Sequence, residues 1–122
     1  MSTTPDLPVF DLYEQYALER EGLLFVRHPF GFASYKMMHA DLYWLVDIFV
    51  LPSQRRNGIA YELSAEVAKI ALAAGAKQLL GTVDIKANGV TESLKALLAD
   101  GFRFSRAEGN IMYFLKDLPK GN

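Results

Sequence analysis

The chain contains no cysteine. Disulfide scaffolds, thiolate zinc sites and cysteine nucleophiles are therefore excluded. Histidine is nearly absent as well: His28 and His39 are the only two. They are too few for a multi-histidine centre, and no metal is expected. Neither sign of charge dominates. Thirteen basic and fourteen acidic side chains leave a formal net charge of −1. Without a bulk positive field, nucleic acid is not an expected partner. Long apolar runs are missing too. The most apolar stretch, Leu42 to Pro52, is broken by Asp47 and falls well short of the roughly 20 residues of a membrane span. No membrane partner is expected. The opening Met-Ser-Thr-Thr-Pro-Asp has no basic region followed by an apolar run, so no secretory signal is read there. The cytoplasm is the simplest compartment. No internal repeat, linker or low-complexity tract is visible.

What is present is an ordinary globular composition: 122 residues, 51% hydrophobic and 22% charged. A chain of this length can bury roughly two thirds of its surface without staples. One domain over residues 1–122 is expected, with 1–8, which hold two prolines, as a mobile lead-in. Phe10, Leu12, Tyr13, Tyr16, Ala17 and Leu18 predict a short amphipathic helix over Val9 to Glu21, ended by Gly22. Leu23 to Arg27 and Phe32 to Met38 read as strands of a hairpin turning at His28-Pro29-Phe30-Gly31. Leu42 to Leu51 is the strongest strand, and its nearly continuous apolar character predicts cover on both faces. Ile59, Leu63, Val67, Ile70 and Ala74 form one helical stripe within Asn57 to Ala74, and Gly75 supplies the cap. Leu79 to Ile85 is the next strand. Strand, helix and strand make a βαβ unit, so the two strands are expected to be parallel. Val90, Leu94, Leu97 and Leu98 predict a second such helix over Asn88 to Asp100, capped by Gly101. Phe102 to Ala107 and Ile111 to Leu118 form a closing hairpin around Glu108-Gly109-Asn110. The result is a single α/β (α+β) domain with a mixed central sheet and helices on both faces.

One stretch carries chemistry. The apolar strand stops at Pro52, and Ser53-Gln54-Arg55-Arg56-Asn57-Gly58-Ile59-Ala60 leads into the helix. The first turn of a helix has N–H groups without intrahelical partners, and its dipole presents partial positive charge. Gly58 and the small Ala60 leave room for a phosphate to approach those amides. Arg55 and Arg56 add forked donors suited to it. The same residues also fit a solvated turn with a tight packing contact. A Walker-type loop is not matched, because no Gly-Lys-Ser/Thr follows.

Val50-Leu51-Pro52-Ser53-Gln54-Arg55-Arg56-Asn57-Gly58-Ile59-Ala60 resembles the signature of the GNAT superfamily of acetyl-CoA-dependent N-acetyltransferases, Arg/Gln-x-x-Gly-x-Gly/Ala preceded by Val-x-Pro. Asp47 stands where an acidic residue often precedes the valine, and Gly101-Phe102 matches the pair that closes the following helix. The resemblance runs from about Leu23 to Leu118 and implies the GNAT fold. It implies acetyl-CoA as co-substrate and a small-molecule or peptide amine as acceptor, and it allows a homodimer. The backbone of Ile48, Phe49 and Val50 would bind the pantetheine arm. Arg55 and the amides of Arg56, Asn57, Gly58, Ile59, Ala60 and Tyr61 would hold the pyrophosphate, and a backbone N–H near Phe49 would polarise the thioester. Asn88 is the counterpart of a loop asparagine. It lies thirteen residues before Gly101, and the family's common, shorter spacing selects Val90 instead. A second departure is Leu97, where the family often has a tyrosine that protonates the leaving thiolate. Leu97→Tyr is expected to be neutral or mildly activating.

The expected reaction is direct attack of a primary amine on acetyl-CoA in a ternary complex. The alternative is a non-catalytic GNAT-fold module that binds acetyl-CoA or a protein. Asp47 is the only charged residue in its strand; among apolar neighbours its pKa should rise toward that of a useful base. The alternative for Asp47 is an ion pair with Arg27. His39 is read as a surface turn residue or a base reaching the cleft, Tyr43 and Trp44 as core or lining of an acceptor pocket, Tyr113 as a spare phenol or packing, and Lys116 and Lys120 as a solvated tail.

Overall fold

The computed structural model describes residues 6–119. The elements are α1 (Asp6–Glu21), β1 (Leu24–His28), β2 (Gly31–His39), β3 (Leu42–Val50), a 3-10 turn (Pro52–Gln54), α2 (Ile59–Ala73), β4 (Gln78–Asp84), α3 (Val90–Ala99), β5 (Arg103–Glu108) and β6 (Ile111–Asp117). They build one six-stranded sheet in the order β1-β2-β3-β4-β6-β5. The β3–β4 pair alone is parallel, as the βαβ pattern requires; the other four pairs are antiparallel. The sheet is mixed, as expected. Among the described residues no helix is long and apolar enough to cross a membrane.

Cross-strand neighbours share a face of a sheet, so the register assigns the helices. Val26, Ala33 and Ile48 are aligned across β1, β2 and β3, and Leu45 is aligned with Gly81. Their side belongs to α2: Ala33 and Leu45 share a buried core with Leu63, Val67 and Ala71 of α2 and Leu79 and Val83 of β4. The third helix covers this side too, because a Cβ on Gly81 would lie 3.0 Å from Leu97 of α3. Phe25, Arg27, Phe32, Ser34, Asp47 and Phe49 point to the opposite side. There α1 lies over the β1 edge: Tyr13 meets the Phe25 ring edge-on at 5.8 Å, and Arg27 pairs with Asp11 and Glu14. Helices thus cover both faces.

Several local expectations change. The first helix starts at Asp6, because Pro8 falls in its first turn, where proline is tolerated. Residues 6–8 are therefore helical, and the remainder of the expected lead-in, 1–5, lies outside the described residues. The helix is not cleanly amphipathic: Ala17 is buried, whereas Leu12, Tyr13, Tyr16 and Leu18 are each at least half exposed. In α2 the buried stripe is Ile59, Leu63, Val67 and Ala71; the helix stops before Ala74, and Gly75 turns the chain at φ 94°. The third helix begins at Val90 rather than Asn88, behind Gly89 at φ 77°. The β3 strand is closely covered on one face only. Leu45 and Val50 are buried, but Asp47 and Phe49 are exposed, because α1 covers the β1 edge and does not reach across the sheet. Lys116 is no part of a solvated tail: its ammonium pairs with Asp100 at 3.0 Å and lies 5.8 Å from the Phe102 ring centre. Lys120 is outside the described residues.

Candidate functional site

Parallel pairing between β3 and β4 runs from Leu42↔Gln78 to Leu45↔Gly81 and stops. At the same level β3 bulges. Ser34 of β2 faces Asp47 while its neighbour Tyr35 faces Leu45, so Val46 has no partner there. A bulge bends its strand and strengthens the local twist. Beyond it, residues 46–50 of β3 and 82–84 of β4 run apart.

A cleft of about 740 Å³ opens in the gap. Its walls are residues 45–50 of β3, residues 54–56 and 58–60 at the start of α2, residues 81–83 of β4, and one side of the loop and helix at 88–97. A second cavity of about 310 Å³ shares Val46, Asp47, Thr82, Val83, Asn88 and Ser93 with it. Of the residues singled out in the sequence, Asp47, Ile48, Phe49, Val50, Arg55, Arg56, Gly58, Ile59, Ala60 and Asn88 line the cleft. Asn57 and Tyr61 do not. Asn57 pins the loop, its Nδ2 donating to the Gln54 carbonyl at 3.3 Å, and the Tyr61 side chain is exposed.

Backbone direction along β3 follows from one hydrogen bond. The Leu51 N–H donates to the Phe30 carbonyl at 2.8 Å, on the β2 side. Polar groups alternate along a strand, so the Phe49 and Asp47 amides also face β2. Ile48 and Val50 turn theirs into the cleft. The amide near Phe49 that faces the cleft is therefore that of Ile48 or Val50, not that of Phe49 itself. The Val50 carbonyl is already engaged by Arg55 Nε at 2.9 Å, and the Arg55 guanidinium lies 5.8 Å from the Phe49 ring centre. The free edge thus consists of the Ile48 N–H and C=O and the Val50 N–H.

At the far end of the cleft, α2 begins. Its first intrahelical bond is Glu62 N–H to the Gly58 carbonyl, and no side chain caps Gly58. The N–H groups of Ile59, Ala60 and Tyr61 lack helical partners and carry the positive end of the dipole. The loop reaches this point through Arg56 at φ 68° and Gly58 at φ 80°. Arg56 is the only described non-glycine residue with positive φ, a conformation that costs an L-residue roughly 1–2 kcal/mol. Such strain is characteristic of ligand-binding loops.

Asp47 is exposed as a whole residue, and it lines both the cleft and the adjoining cavity. Burial alone pushes its pKa above the ordinary aspartate value. No hydrogen bond or ion pair among the described residues involves that carboxyl. The alternative partner, Arg27, is engaged by Asp11 and Glu14 on α1. His39 lies at the other end of β3, where its Nδ1 accepts the Asp41 N–H, so it belongs to the turn. Tyr35 and Tyr43 stack on each other with ring centres 6.3 Å apart, Tyr35 within the core and Tyr43 packed against it. Tyr113 lines neither cavity and carries the Arg106 guanidinium 4.3 Å from its ring centre. Leu97 lines the cleft but packs its tip toward Gly81. Polar side chains not anticipated at the site are those of Gln54, Thr82, Glu92 and Ser93. Thr82 had a signal in the sequence, being a lone hydroxyl next to a glycine within an apolar strand.

The profile of the Acetyltransferase (GNAT) family matches residues 3–97. No curated protein matches the sequence. Among solved structures, a GNAT family acetyltransferase from Elizabethkingia anophelis with acetyl-CoA bound is 17% identical, with TM-score 0.68, over 96% of this chain and 92% of that one. An acetyltransferase from Thermus thermophilus is 21% identical, with TM-score 0.66, over 95% of this chain and 76% of that one. The PaiA N-acetyltransferase from Thermoplasma acidophilum in complex with coenzyme A is 18% identical, with TM-score 0.65. That match covers 72% of this chain and about half, 53%, of the Thermoplasma chain. At these identities the likeness is one of fold.

Proposed function

The chain belongs to the GNAT acetyltransferase family, and from that premise we propose that it moves an acetyl group from acetyl-CoA to a primary amine by direct attack in a ternary complex. The observation that carries the reading is the continuous cleft between the open β3 edge and the uncapped start of α2. Pantetheine, an extended chain with amides, completes the edge at Ile48 and Val50 as an added strand would. The diphosphate meets the free amides of Ile59, Ala60 and Tyr61, with Arg55, Arg56 and the room left by Gly58 beside them. The thioester then lies in the gap, where an open β3 amide polarises its carbonyl. An alkylammonium with pKa near 10.4 must lose a proton, at a cost of roughly 4–5 kcal/mol at pH 7. Asp47, partly desolvated and facing the gap, is the base. The thiolate leaves with a pKa near 8.5, so the absence of a tyrosine at Leu97 slows the reaction without abolishing it. A covalent acyl-enzyme is not proposed, since the chain has no cysteine.

Isothermal calorimetry on Gly58→Glu tests the site. A Cβ there meets nothing within 4 Å, so the variant should fold, at a cost of about 1–2 kcal/mol for its left-handed φ. Its carboxylate occupies the place of the diphosphate. Acetyl-CoA binding is expected to be lost, and unchanged affinity in a folded variant would sink the assignment. Leu97, packed toward Gly81, favours a second reading, a module that binds acetyl-CoA without turnover. Thiol release with a panel of amines separates the two.

A further inference from the structure

Thr82 is the first residue of β4 beyond the last parallel pair, Leu45↔Gly81. Side chains alternate along a strand, so Thr82 points away from Gly81 and Val83, which face the α2 side. It shares the α1 side with Asp47, across the gap. Both residues line the large cleft and the adjoining cavity. One more contact sets Thr82 apart: Trp44 Nε1 donates to its Oγ1 at 3.3 Å. An indole N–H is a donor only, so the threonine oxygen accepts there. A hydroxyl oxygen has two acceptor sites, and one remains. Ser93, the other hydroxyl common to both cavities, belongs to α3 and lies on the opposite side of the sheet.

We propose that Thr82 is a catalytic residue that accepts one N–H of the attacking amine opposite Asp47, and that Trp44 is the positioning residue that fixes its hydroxyl. The proposal rests on the acetyl-transfer reading above. A neutral primary amine has two N–H bonds and one lone pair. With one N–H on Thr82 Oγ1 and the other on the Asp47 carboxylate, the lone pair is left to face the thioester carbon. The C–N bond forms as the C–S bond breaks, and the C–S electron pair stays on sulfur. A bound ammonium gives up one proton before attack and one after it, both by way of Asp47. One proton ends on the thiol and the other in solvent. A secondary amine has one N–H fewer and must forgo one of the two anchors. The site therefore selects primary amines.

The test uses n-butylamine and N-methylbutylamine as probes, with saturating acetyl-CoA and thiol release as the readout. Thr82→Val keeps the shape and removes the hydroxyl. Its kcat/KM for n-butylamine is expected to fall about tenfold or more, the scale of a lost hydrogen bond in a desolvated site. The preference for the primary over the secondary amine should shrink with it. Thr82→Ser should stay within about threefold of wild type, because its hydroxyl can be held in the same way. Trp44→Phe should show a smaller loss of the same kind. Adding Trp44→Phe to Thr82→Val should cost nothing further, because the indole acts through the hydroxyl; should Thr82→Val fail to fold, Trp44→Phe carries the test by itself. Acetyl-CoA affinity, measured by calorimetry on the same proteins, should be unchanged. If wild type binds acetyl-CoA and both Thr82→Val and Trp44→Phe leave the rate and the amine preference intact, this proposal alone is overturned. If wild type does not bind acetyl-CoA, the acetyl-transfer reading falls and takes this one with it.

Discussion

Among the described residues the Asp47 carboxylate has no counter-ion, and that decides how it should respond to pH and to mutation. Its pKa is raised in the folded chain because burial disfavours the charged form. In the window between the ordinary aspartate value and the raised one, the folded state holds the proton more tightly than the unfolded state does. Stability therefore declines as pH rises through that window and is regained as pH falls. Asp47→Asn removes this burden, so at neutral pH its melting temperature should equal or exceed that of wild type. Activity should move the other way. A base must be ionised, so under the proposed mechanism wild-type kcat/KM should drop as pH falls through the raised pKa of Asp47. In Asp47→Asn it should drop by roughly 10²-fold or more. A structural Asp47 gives the opposite pattern, several degrees lost in melting temperature with full activity per folded molecule. The sequence could raise this question because a lone carboxylate in an apolar strand is visible in it. It could not answer it, since the engagement of Arg27 by Asp11 and Glu14 is a contact between segments distant in the chain.

The segment from the end of β3 to the first turn of α2 was the most legible part of the molecule. Its constraints are local: a proline that ends a strand, a glycine with positive φ, and a helix start without a cap. The strands and their parallel relation were legible for the same reason. The opening between β3 and β4 was not. It depends on the bulge at Val46 and on pairing that ends at Gly81, and no local pattern encodes a register between separate strands. The place of Thr82 at the mouth of that opening was hidden with it, although its lone hydroxyl beside a glycine was visible. Leu97 shows the same limit from the side of packing. From sequence alone, Leu97→Tyr reads as neutral or activating. In the fold, Leu97 Cδ2 lies 3.0 Å from where a Gly81 Cβ would stand, and Phe102 is next to it at 3.2 Å. A tyrosine must either overfill that corner, at about 1–3 kcal/mol, or turn out into the cleft. We expect a lower melting temperature and no faster thiol release. A clear gain in rate at unchanged stability would show that the ring reaches the leaving group.

At the scale of the whole molecule, the cleft needs α2, α3 and the sheet to keep their places while β3 and β4 are parted. The tie that joins these layers sits at the far end of α3. Asp100, its C-cap, accepts from Ser64 Oγ of α2 at 2.5 Å and from Lys116 Nζ of β6 at 3.0 Å. The Asp100 side chain is 11% exposed and that of Lys116 24%, and Ser64 is buried. None of the three lines the cleft or the adjoining cavity. Removing one partner of such a pair strands the other in a poorly hydrated place, at about 3–5 kcal/mol when burial is complete. Lys116 keeps some water, so Asp100→Ala should cost nearer 3 kcal/mol, or about 10 °C in melting temperature for a chain of this size. Well below that melting point, acetyl-CoA affinity should be unchanged, because the tie holds the layers and does not touch the cleft. The double variant Asp100→Ala, Lys116→Met then separates a pair from two independent contacts. With no ammonium left to strand, it should be more stable than Asp100→Ala alone. If the two losses simply add, the layers are held by the apolar core around Val67, Leu79 and Phe114, and Asp100 is only a helix terminus.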